Sequence, residues 1–205
     1  MSIKVDSRKV KSGDTFVAIK GLNIDGHDFI DKAILNGATE IIAEKGDYKV
    51  KTKIVENTRV YLANYLKEKY SSDLSKIKFI GVTGTNGKTT SCYLIYQALN
   101  KLGVKTAYIG TIGFYVDGKV KDLDNTTPDL IDLYEMFDYC IQNRVEVIAM
   151  EVSSHALALD RVLNLQFDYA AFTNLTQDHL DFHTSLENYK KAKIKLFENL
   201  RNNKF

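Results

Sequence analysis

Residues 81–90, which read GVTGTNGKTT, combine three glycines with a lysine and neighbouring threonines. An apolar segment typical of a buried strand precedes this loop, and a segment of helix-forming residues follows it. In such a turn, backbone N–H groups and the helix N-terminus bind phosphate oxygens. Lys88 would neutralise phosphate charge, and the Thr89 hydroxyl would ligate Mg²⁺. The spacing predicts an ATP and magnesium site, although Val82 occupies the position of the motif's first glycine; a glycine-rich turn without a ligand is the alternative.

Acidic and histidine side chains follow later apolar segments of the chain. Glu151 lies in MEVSSHALALDRV, residues 150–162, at the carboxyl end of a predicted strand. Ligands of open α/β sheets bind at that edge, so Glu151 can reach a metal on the phosphate loop; an ordinary loop glutamate is the alternative. His179 and His183 are four residues apart, which could suit zinc on a helix, but no third ligand accompanies them. We therefore expect His183 to pack or to form hydrogen bonds.

One lysine of the last predicted helix, residues 185–200, falls where an apolar residue is expected. At about 100° per residue, Lys193 lies in the middle of the apolar face, whereas Lys191 and Lys195 point away. The apolar face consists of Leu186, Tyr189, Leu196, Phe197 and Leu200. Burial lowers the pKa of a lysine and exposes a neutral amine, which can capture CO₂ as a metal-ligating carbamate. The alternative is a lysine whose stem packs while its amine reaches water.

Two patterns of elements divide the sequence and predict an α/β fold. The first part alternates short strands and helices. From Ile77 onward the alternation has a longer period, which is typical of a parallel sheet covered by helices. The predicted strands are 15–20, 39–44, 78–82, 106–111, 145–152 and 168–174, and the predicted helices lie in 25–38, 61–70, 89–103, 129–144 and 185–200.

A polar segment, SSDLSK at residues 71–76, is the best candidate for a boundary between these two parts. We expect a small mixed α/β domain at residues 1–74 and a phosphate-loop domain with a parallel sheet at residues 75–205. The second domain has few strands for its class, which suggests that it is truncated. Asp117-Gly118 predicts a hairpin turn within it.

Composition excludes several classes of protein. The 205 residues carry a net charge of only +2, which gives no electrostatic reason to expect nucleic acid or an anionic membrane as a partner. Cys92 and Cys140 have neither disulfide-framework nor zinc-site spacing, so we expect a reducing compartment. No apolar run is long enough for a signal peptide or a membrane span, and a cytoplasmic location is therefore expected.

The motifs resemble those of one enzyme family. TGTNGKTT, with its displaced first glycine, is similar to the ATP loop of the Mur ligases, which form amide bonds in peptidoglycan precursors. MEVSSH is similar to a motif of the tripeptide-forming (MurE-type) members. The resemblance implies ATP binding by Gly84, Thr85, Asn86, Gly87, Lys88, Thr89 and Thr90. It implies two Mg²⁺ sites with ligands from Thr89, Glu151, His179 and a CO₂-derived carbamate on Lys193. Lys88, His179 and Lys193 would be the catalytic residues.

The same resemblance implies a substrate and its contacts. The contacts are Ser7, Arg8, Asn125, Thr126, Thr127, Ser153 and Arg161, with Leu22, Asn23 and Ile24 in a loop near the uridine diphosphate. Some relatives have a histidine where this chain has Leu22. Taken alone, NTTPD at 125–129 could be a turn with a helix N-cap, and the Ser-Arg pair means little. ATP would phosphorylate the D-glutamate side chain of UDP-N-acetylmuramoyl-L-alanyl-D-glutamate, and a diamino acid, L-lysine or meso-diaminopimelate, would attack the acyl phosphate.

Full-length members continue through the central domain into a third domain that binds the amino acid. The resemblance therefore implies that this chain is a fragment, inactive on its own. Two other functions remain open. One is a general phosphate-loop ATPase, which has no use for a lysine at position 193. The other is a non-catalytic module that binds UDP-sugar peptides.

Overall fold

The computed structural model describes residues 2–22 and 24–201 and divides into two compact units, Met1–Leu66 and Lys67–Phe205. The first unit contains a four-stranded parallel sheet in the order β1-β2-β3-β4. Its strands are β1 (Ile3–Lys4), β2 (Thr15–Val17), β3 (Glu40–Ala43) and β4 (Lys51–Ile54). The helices are two 3₁₀ turns, Ser7–Lys9 and Gly26–Phe29, then α1 (Ile30–Leu35) and α2 (Thr58–Leu74), whose last residues belong to the second unit.

The core of the first unit forms because β2 and β3 are almost entirely buried. Phe16 and Ile41 from these strands pack with Ile30 and Ala33 from α1. The sequence missed β1 and β4. Strand β4 reads KTKI and is mostly exposed, so it carries no apolar signal and is held by backbone pairing along β3.

The second unit is built on a six-stranded sheet in the order β10-β5-β9-β6-β7-β8. The first four strands in that order are parallel, and β7 and β8 continue the sheet as antiparallel strands. The strands are β5 (Lys78–Thr83), β6 (Thr106–Gly110), β7 (Gly113–Val116), β8 (Lys119–Lys121), β9 (Val147–Glu151) and β10 (Tyr169–Phe172). The helices are α3 (Lys88–Lys101), α4 (Leu130–Gln142), α5 (Ser154–Ala158), α6 (Leu180–His183) and α7 (Leu186–Glu198). This confirms the predicted α/β class.

Parallel pairing brings four strand ends to one edge of this sheet. The carboxyl ends of β5, β6, β9 and β10 are Thr83, Gly110, Glu151 and Phe172. Each residue of β9 is buried, because the strand lies between β5 and β6. The phosphate loop leaves the end of β5 and enters α3, so the sheet topology decides which side chains can face the loop.

The structure describes both the predicted hairpin turn and the polar segment that was predicted as a domain boundary. The hairpin at Asp117-Gly118 is confirmed: both residues have positive φ, 53° and 133°, and they join β7 to β8. The polar segment 71–76 is not a loop throughout, since its first four residues are helical in α2. The Ser71 hydroxyl donates to the Glu68 carbonyl at 3.0 Å, so a small polar residue is accommodated within the helix. The predicted division at residues 74 and 75 stays a prediction.

Candidate functional site

The phosphate loop is held open by glycines in conformations that other residues rarely adopt. Gly84 has φ +146° and Gly87 has φ +84°. A Cβ atom at Gly84 would overlap the Thr173 hydroxyl. The Lys88 amine folds back and donates to the carbonyl oxygens of Gly84 at 3.0 Å and of Thr85 at 2.9 Å. The loop therefore has the strand-to-helix geometry that the sequence predicted, with its lysine at the start of α3.

A second segment, residues 173–176 after β10, supports the loop from the neighbouring strand end. The Asn174 amide accepts a bond from Asn86 N–H at 3.0 Å and donates to the Asn86 carbonyl at 3.1 Å. The Thr173 hydroxyl donates to the same carbonyl at 2.6 Å. The Thr85 N–H donates to the Asn174 carbonyl at 2.9 Å. Sequence reasoning did not assign these contacts, which connect residues almost ninety positions apart.

Glu151 is fully buried at the end of β9 and accepts four hydrogen bonds. The Thr89 hydroxyl donates to Oε2 at 2.8 Å and the Tyr108 hydroxyl to Oε1 at 2.5 Å. Thr111 donates its N–H to Oε1 at 2.9 Å and its hydroxyl to Oε2 at 3.3 Å. Burial, and then the carboxylate, raise the pKa of Tyr108, so the phenol stays a donor. The structure thus places the predicted carboxylate beside the predicted loop threonine.

The Asn125–Thr127 segment reaches the same sheet edge. The Thr127 hydroxyl donates to the Glu151 carbonyl at 2.8 Å and accepts the Ser153 N–H at 3.0 Å. Arg161 donates to the Thr127 carbonyl at 3.1 Å. The Thr126 hydroxyl lies 3.0 Å from that of Thr111, while Asn125 is exposed. Of the predicted substrate contacts, five therefore lie in the second unit. Thr127, Ser153 and Arg161 are joined by hydrogen bonds around the end of β9, and Thr126 pairs with Thr111.

Lys193 is only 2% exposed. Its amine donates to the Gly84 carbonyl at 2.8 Å and lies 4.1 Å from the centroid of the Tyr189 ring. Burial, and then the charge of Lys88, lower the pKa of Lys193 to about 8. The amine ends on a buried carbonyl, so the alternative in which it reaches water does not apply. The helical period placed Lys193 correctly, although Leu186, expected on the same face, is 46% exposed in the first turn of α7.

The histidines pack around α6 and the start of α7. His179 has φ +52° and precedes α6; its ring centroid lies 4.7 Å from that of His155. His183 is buried, with Nε2 3.0 Å from the Ser154 hydroxyl, so it forms the hydrogen bond that we expected. Burial lowers the pKa of His155 and of His183. Within the described ranges, no group of three or more histidine, cysteine, aspartate or glutamate side chains could hold a metal ion.

The predicted uridine-diphosphate contacts lie in the first unit. Ser7 is buried, and its carbonyl accepts a bond from the Asn36 amide at 2.8 Å. Arg8 is exposed and forms a bidentate salt bridge with Asp6. The side-chain hydrogen bond from Arg8 is the main reason that the pKa of the Asp6 carboxyl is lowered. Leu22 and Ile24 are exposed, and Asn23 lies outside the described residues.

The fold and the site define an α/β nucleotide-binding protein with a phosphate loop. Residues 82–205 match the Mur ligase middle domain, and residues 1–75 match the catalytic domain of the Mur ligase family. The chain therefore belongs to the Mur ligase family, whose members are ATP-dependent ligases. Within residues 2–22 and 24–201, every helix is too short or too polar to cross a membrane.

Curated relatives and solved structures agree with this assignment. The UDP-N-acetylmuramoyl-L-alanyl-D-glutamate--2,6-diaminopimelate ligase of Clostridium perfringens is 47% identical over 201 residues, which cover 96% of this chain and 41% of that ligase. The ligase of the same name from Fusobacterium nucleatum is 46% identical over 202 residues, which cover 97% of this chain and 41% of its own. This chain thus spans about two fifths of the length of these relatives.

Solved structures give the same match over nearly the whole chain. A solved UDP-N-acetylmuramoyl-L-alanyl-D-glutamate--2,6-diaminopimelate ligase superposes with a TM-score of 0.83 at 28% identity, over 98% of this chain and 42% of that one. The MurF ligase of Thermotoga maritima in complex with ADP gives a TM-score of 0.63 at 26% identity, over 98% of this chain and 43% of its own.

Gly84→Ala tests the steric requirement of the phosphate loop. The added Cβ would overlap Thr173, so we expect the melting temperature to fall by at least about 3 °C more than in Gly118→Ala. Gly118 is the matched control, because it has φ +133° but open space around it, and both substitutions therefore share the backbone strain. Scanning calorimetry measures both variants, and equal losses would contradict the predicted overlap.

Lys193→Met tests the buried amine through the pH dependence of stability. Because the folded-state pKa is about 8 and the unfolded value is about 10.4, the unfolded chain binds more protons between these pH values, and wild-type stability rises with pH. The free-energy advantage of Lys193→Met over wild type should therefore shrink by about 2 kcal/mol between about pH 7 and pH 9.5. Urea unfolding in CO₂-free buffer measures it. Lys191→Met, on the exposed side of α7, is the matched control, and an advantage of Lys193→Met that does not shrink with pH would contradict the prediction.

Proposed function

We propose that this chain is the part of a longer ATP-dependent amide ligase that binds ATP and the UDP-linked substrate. The substrate would be UDP-N-acetylmuramoyl-L-alanyl-D-glutamate, to which the longer protein adds a diamino acid. The names of the relatives favour diaminopimelate over L-lysine. Residues 1–74 would be the UDP-substrate domain and residues 75–205 part of the ATP-binding domain. The chain alone should bind these ligands without completing the reaction.

The observation that carries this proposal is the bond between the Thr89 hydroxyl and Glu151 Oε2 at 2.8 Å. It joins the first turn of the phosphate-loop helix to a buried carboxylate at the end of the adjacent strand. A hydroxyl and a carboxylate oxygen are the hard ligands that Mg²⁺ prefers, and Mg²⁺ is usually bound by one or two protein oxygens together with substrate phosphates. The residues present therefore fit a magnesium–nucleotide complex. When bound, Mg²⁺ would offset charge on the phosphoryl oxygens.

The chain's own groups would position the nucleotide. The N-terminus of α3, where helical N–H groups lack intrahelical partners, would bind the phosphates. The Thr85 and Asn86 N–H groups are instead bonded to Asn174 and hold the loop in place. In the structure, the Lys88 amine is held by two loop carbonyls, and on nucleotide binding it would exchange these for phosphate oxygens. ATP would then transfer its terminal phosphoryl group to the substrate carboxylate. The amine of the diamino acid would attack the acyl carbon and release phosphate, leaving the new amide.

Each unit by itself has proposed contacts with the UDP-linked substrate. Ser7 and Arg8 are the proposed contacts in the first unit. In the second, the proposed contacts are Asn125, Thr126, Thr127, Ser153 and Arg161. The hydrogen bonds from Arg161 and Ser153 to Thr127 support the idea that these residues act as one surface beside Glu151.

Lys193 is the proposed site of a carbamate that, with His179, would hold a second Mg²⁺. The lowered pKa of about 8 leaves an appreciable neutral fraction near pH 7. The neutral nitrogen attacks the carbon of CO₂ and loses one proton to the solvent, which gives a nitrogen-linked carboxylate. A general phosphate-loop ATPase has no comparable need for an amine buried on α7.

Labelled bicarbonate tests the carbamate directly. In ¹³C NMR of this chain in ¹³C-bicarbonate, wild type should show a carbamate resonance that disappears on acidification, because protons favour release of CO₂. Lys193→Arg should lack that resonance, whereas Lys191→Arg, on the exposed side of the same helix, should retain it. A resonance that survives in Lys193→Arg would assign the carbamate to another amine.

Calorimetric titration tests the proposed ligands. With Mg²⁺ and ATP, Lys88→Ala should bind at least about tenfold more weakly than wild type, because a charged hydrogen-bond donor to phosphate is lost. Lys101→Ala, at the other end of α3, should bind normally. With UDP-N-acetylmuramoyl-L-alanyl-D-glutamate, Arg8→Ala should bind more weakly and Lys9→Ala normally.

The same titrations separate the other two functions. Binding of the UDP-linked ligand without ATP would favour a non-catalytic module, and ATP binding without the UDP-linked ligand would favour a general ATPase. A cytoplasmic location, where the two buried thiols of Cys92 and Cys140 would stay reduced, remains part of the proposal.

A further inference from the structure

The two oxygens of the Glu151 carboxylate have different partners. Oε1 accepts the Tyr108 hydroxyl at 2.5 Å and the Thr111 N–H at 2.9 Å. Oε2 accepts two hydroxyls, those of Thr89 at 2.8 Å and Thr111 at 3.3 Å. Oε1 is thus bound by one donor from a buried aromatic side chain and one from the backbone. Oε2 is bound only by hydroxyls, one of which belongs to the phosphate-loop helix.

The donors to Oε1 cannot easily move. Tyr108 is fully buried, and its ring packs edge-on against Tyr93 and Tyr115, with centroids 5.5 and 5.7 Å away. Tyr96 completes this cluster of four tyrosine rings, which belong to α3, β6 and β7. The Thr111 N–H is fixed by the end of β6. Tyr108 therefore presents its hydroxyl from a rigid support.

Gly110 makes this arrangement possible. A Cβ atom at this position would overlap both Glu151 Oε1 and the Tyr108 hydroxyl. Strand β6 therefore ends in a residue without a side chain at the point where the phenol meets the carboxylate. The requirement is one of close approach, because Gly110 is not among the residues with positive φ.

We propose that Tyr108 is a positioning residue for magnesium–nucleotide binding: its hydroxyl, together with the Thr111 N–H, holds Oε1 so that only Oε2 faces the cation. This inference rests on the proposed function, in which Glu151 and Thr89 hold Mg²⁺. Mg²⁺ demands near-octahedral coordination, and a carboxylate that binds through a single oxygen uses one of its six positions. Hydrogen bonds to a metal-binding carboxylate orient it, and their loss typically weakens metal binding by about 10- to 100-fold.

The test compares ADP binding with and without Mg²⁺ by calorimetry in three proteins. Wild type should bind ADP more tightly with Mg²⁺. Tyr108→Phe should lose about 10- to 100-fold of that gain while binding metal-free ADP as wild type does. Tyr96→Phe is the matched control, because Tyr96 belongs to the same ring cluster but is not among the residues that donate to the Glu151 carboxylate. The gain in ADP affinity from Mg²⁺ should be the same in Tyr96→Phe as in wild type.

The possible failures are distinguishable. A wild-type chain that binds ADP no more tightly with Mg²⁺ would refute the proposed magnesium site and this inference with it. A wild-type gain that persists in Tyr108→Phe, or falls equally in Tyr96→Phe, would overturn the inference alone.

A second variant provides a test that does not depend on the buried ring. Thr111→Val, at an exposed position, removes the longer bond to Oε2 and the hydroxyl contact with Thr126, and it keeps the N–H bond to Oε1. It should lose less of the Mg²⁺ gain than Tyr108→Phe, and a larger loss would overturn the assignment of Oε1 as the held oxygen. If Tyr108→Phe does not fold, a loss of tenfold or more of the Mg²⁺ gain in Thr111→Val would likewise overturn that assignment, and a smaller loss would support it.

Discussion

Two ionisable side chains, Glu151 and Lys193, are buried at the carboxyl edge of one parallel sheet. The arrangement of the site follows from the hydrogen-bond partners that these two side chains require. A buried charge without partners is costly, so each must be surrounded by hydrogen-bonding groups. The Glu151 carboxylate accepts four hydrogen bonds from three residues, which lie in α3, in β6 and in the turn after β6. Lys193 donates to a loop carbonyl and lies against an aromatic ring. These requirements bring α3, β6 and α7 together around the end of β9.

The Gly84 carbonyl connects buried Lys193 to the phosphate loop. It accepts the amines of both Lys88 and Lys193, at 3.0 and 2.8 Å. Two cationic groups on one carbonyl repel each other, which contributes to the lowered pKa of Lys193. In the proposed function, both amines would change partners or charge. A bound phosphate would accept the Lys88 amine, and a carbamate would remove the positive charge from Lys193. The phosphate loop and α7 are thus joined at this acceptor, and also by the bond from the Tyr189 hydroxyl to that of Thr85 at 3.2 Å.

The elements that hold the phosphate loop, Glu151 and Lys193 all lie within the described part of the second unit, so nucleotide binding can be tested with this chain by itself. The chain spans about two fifths of the length of the curated relatives that it matches. The complete amide-forming reaction is therefore a proposal about the longer protein.

The sequence by itself determined the features that depend on local pattern. Strand and helix periods gave the α/β class, the glycine and lysine spacing gave the phosphate loop, and the helical period selected Lys193 from four lysines of α7. The ends of elements depend on more than local pattern: α2 spans Thr58–Leu74, whereas the predicted helix covered 61–70. Strand β4 was missed because its exposed KTKI carries no apolar period. Its existence depends on pairing with β3, which no local pattern records.

Only the tertiary structure decided which groups surround these residues. Tyr108 and Glu151 are 43 positions apart, and Thr173 and Asn86 are 87 apart. By sequence alone, Tyr108 is one residue of a predicted strand, and Thr173 is one residue near the end of another. Their roles arise because parallel pairing aligns the ends of β6, β9, β5 and β10 at one edge. Local sequence fixes a residue's chemistry and its element, whereas the order of strands in the sheet fixes its neighbours.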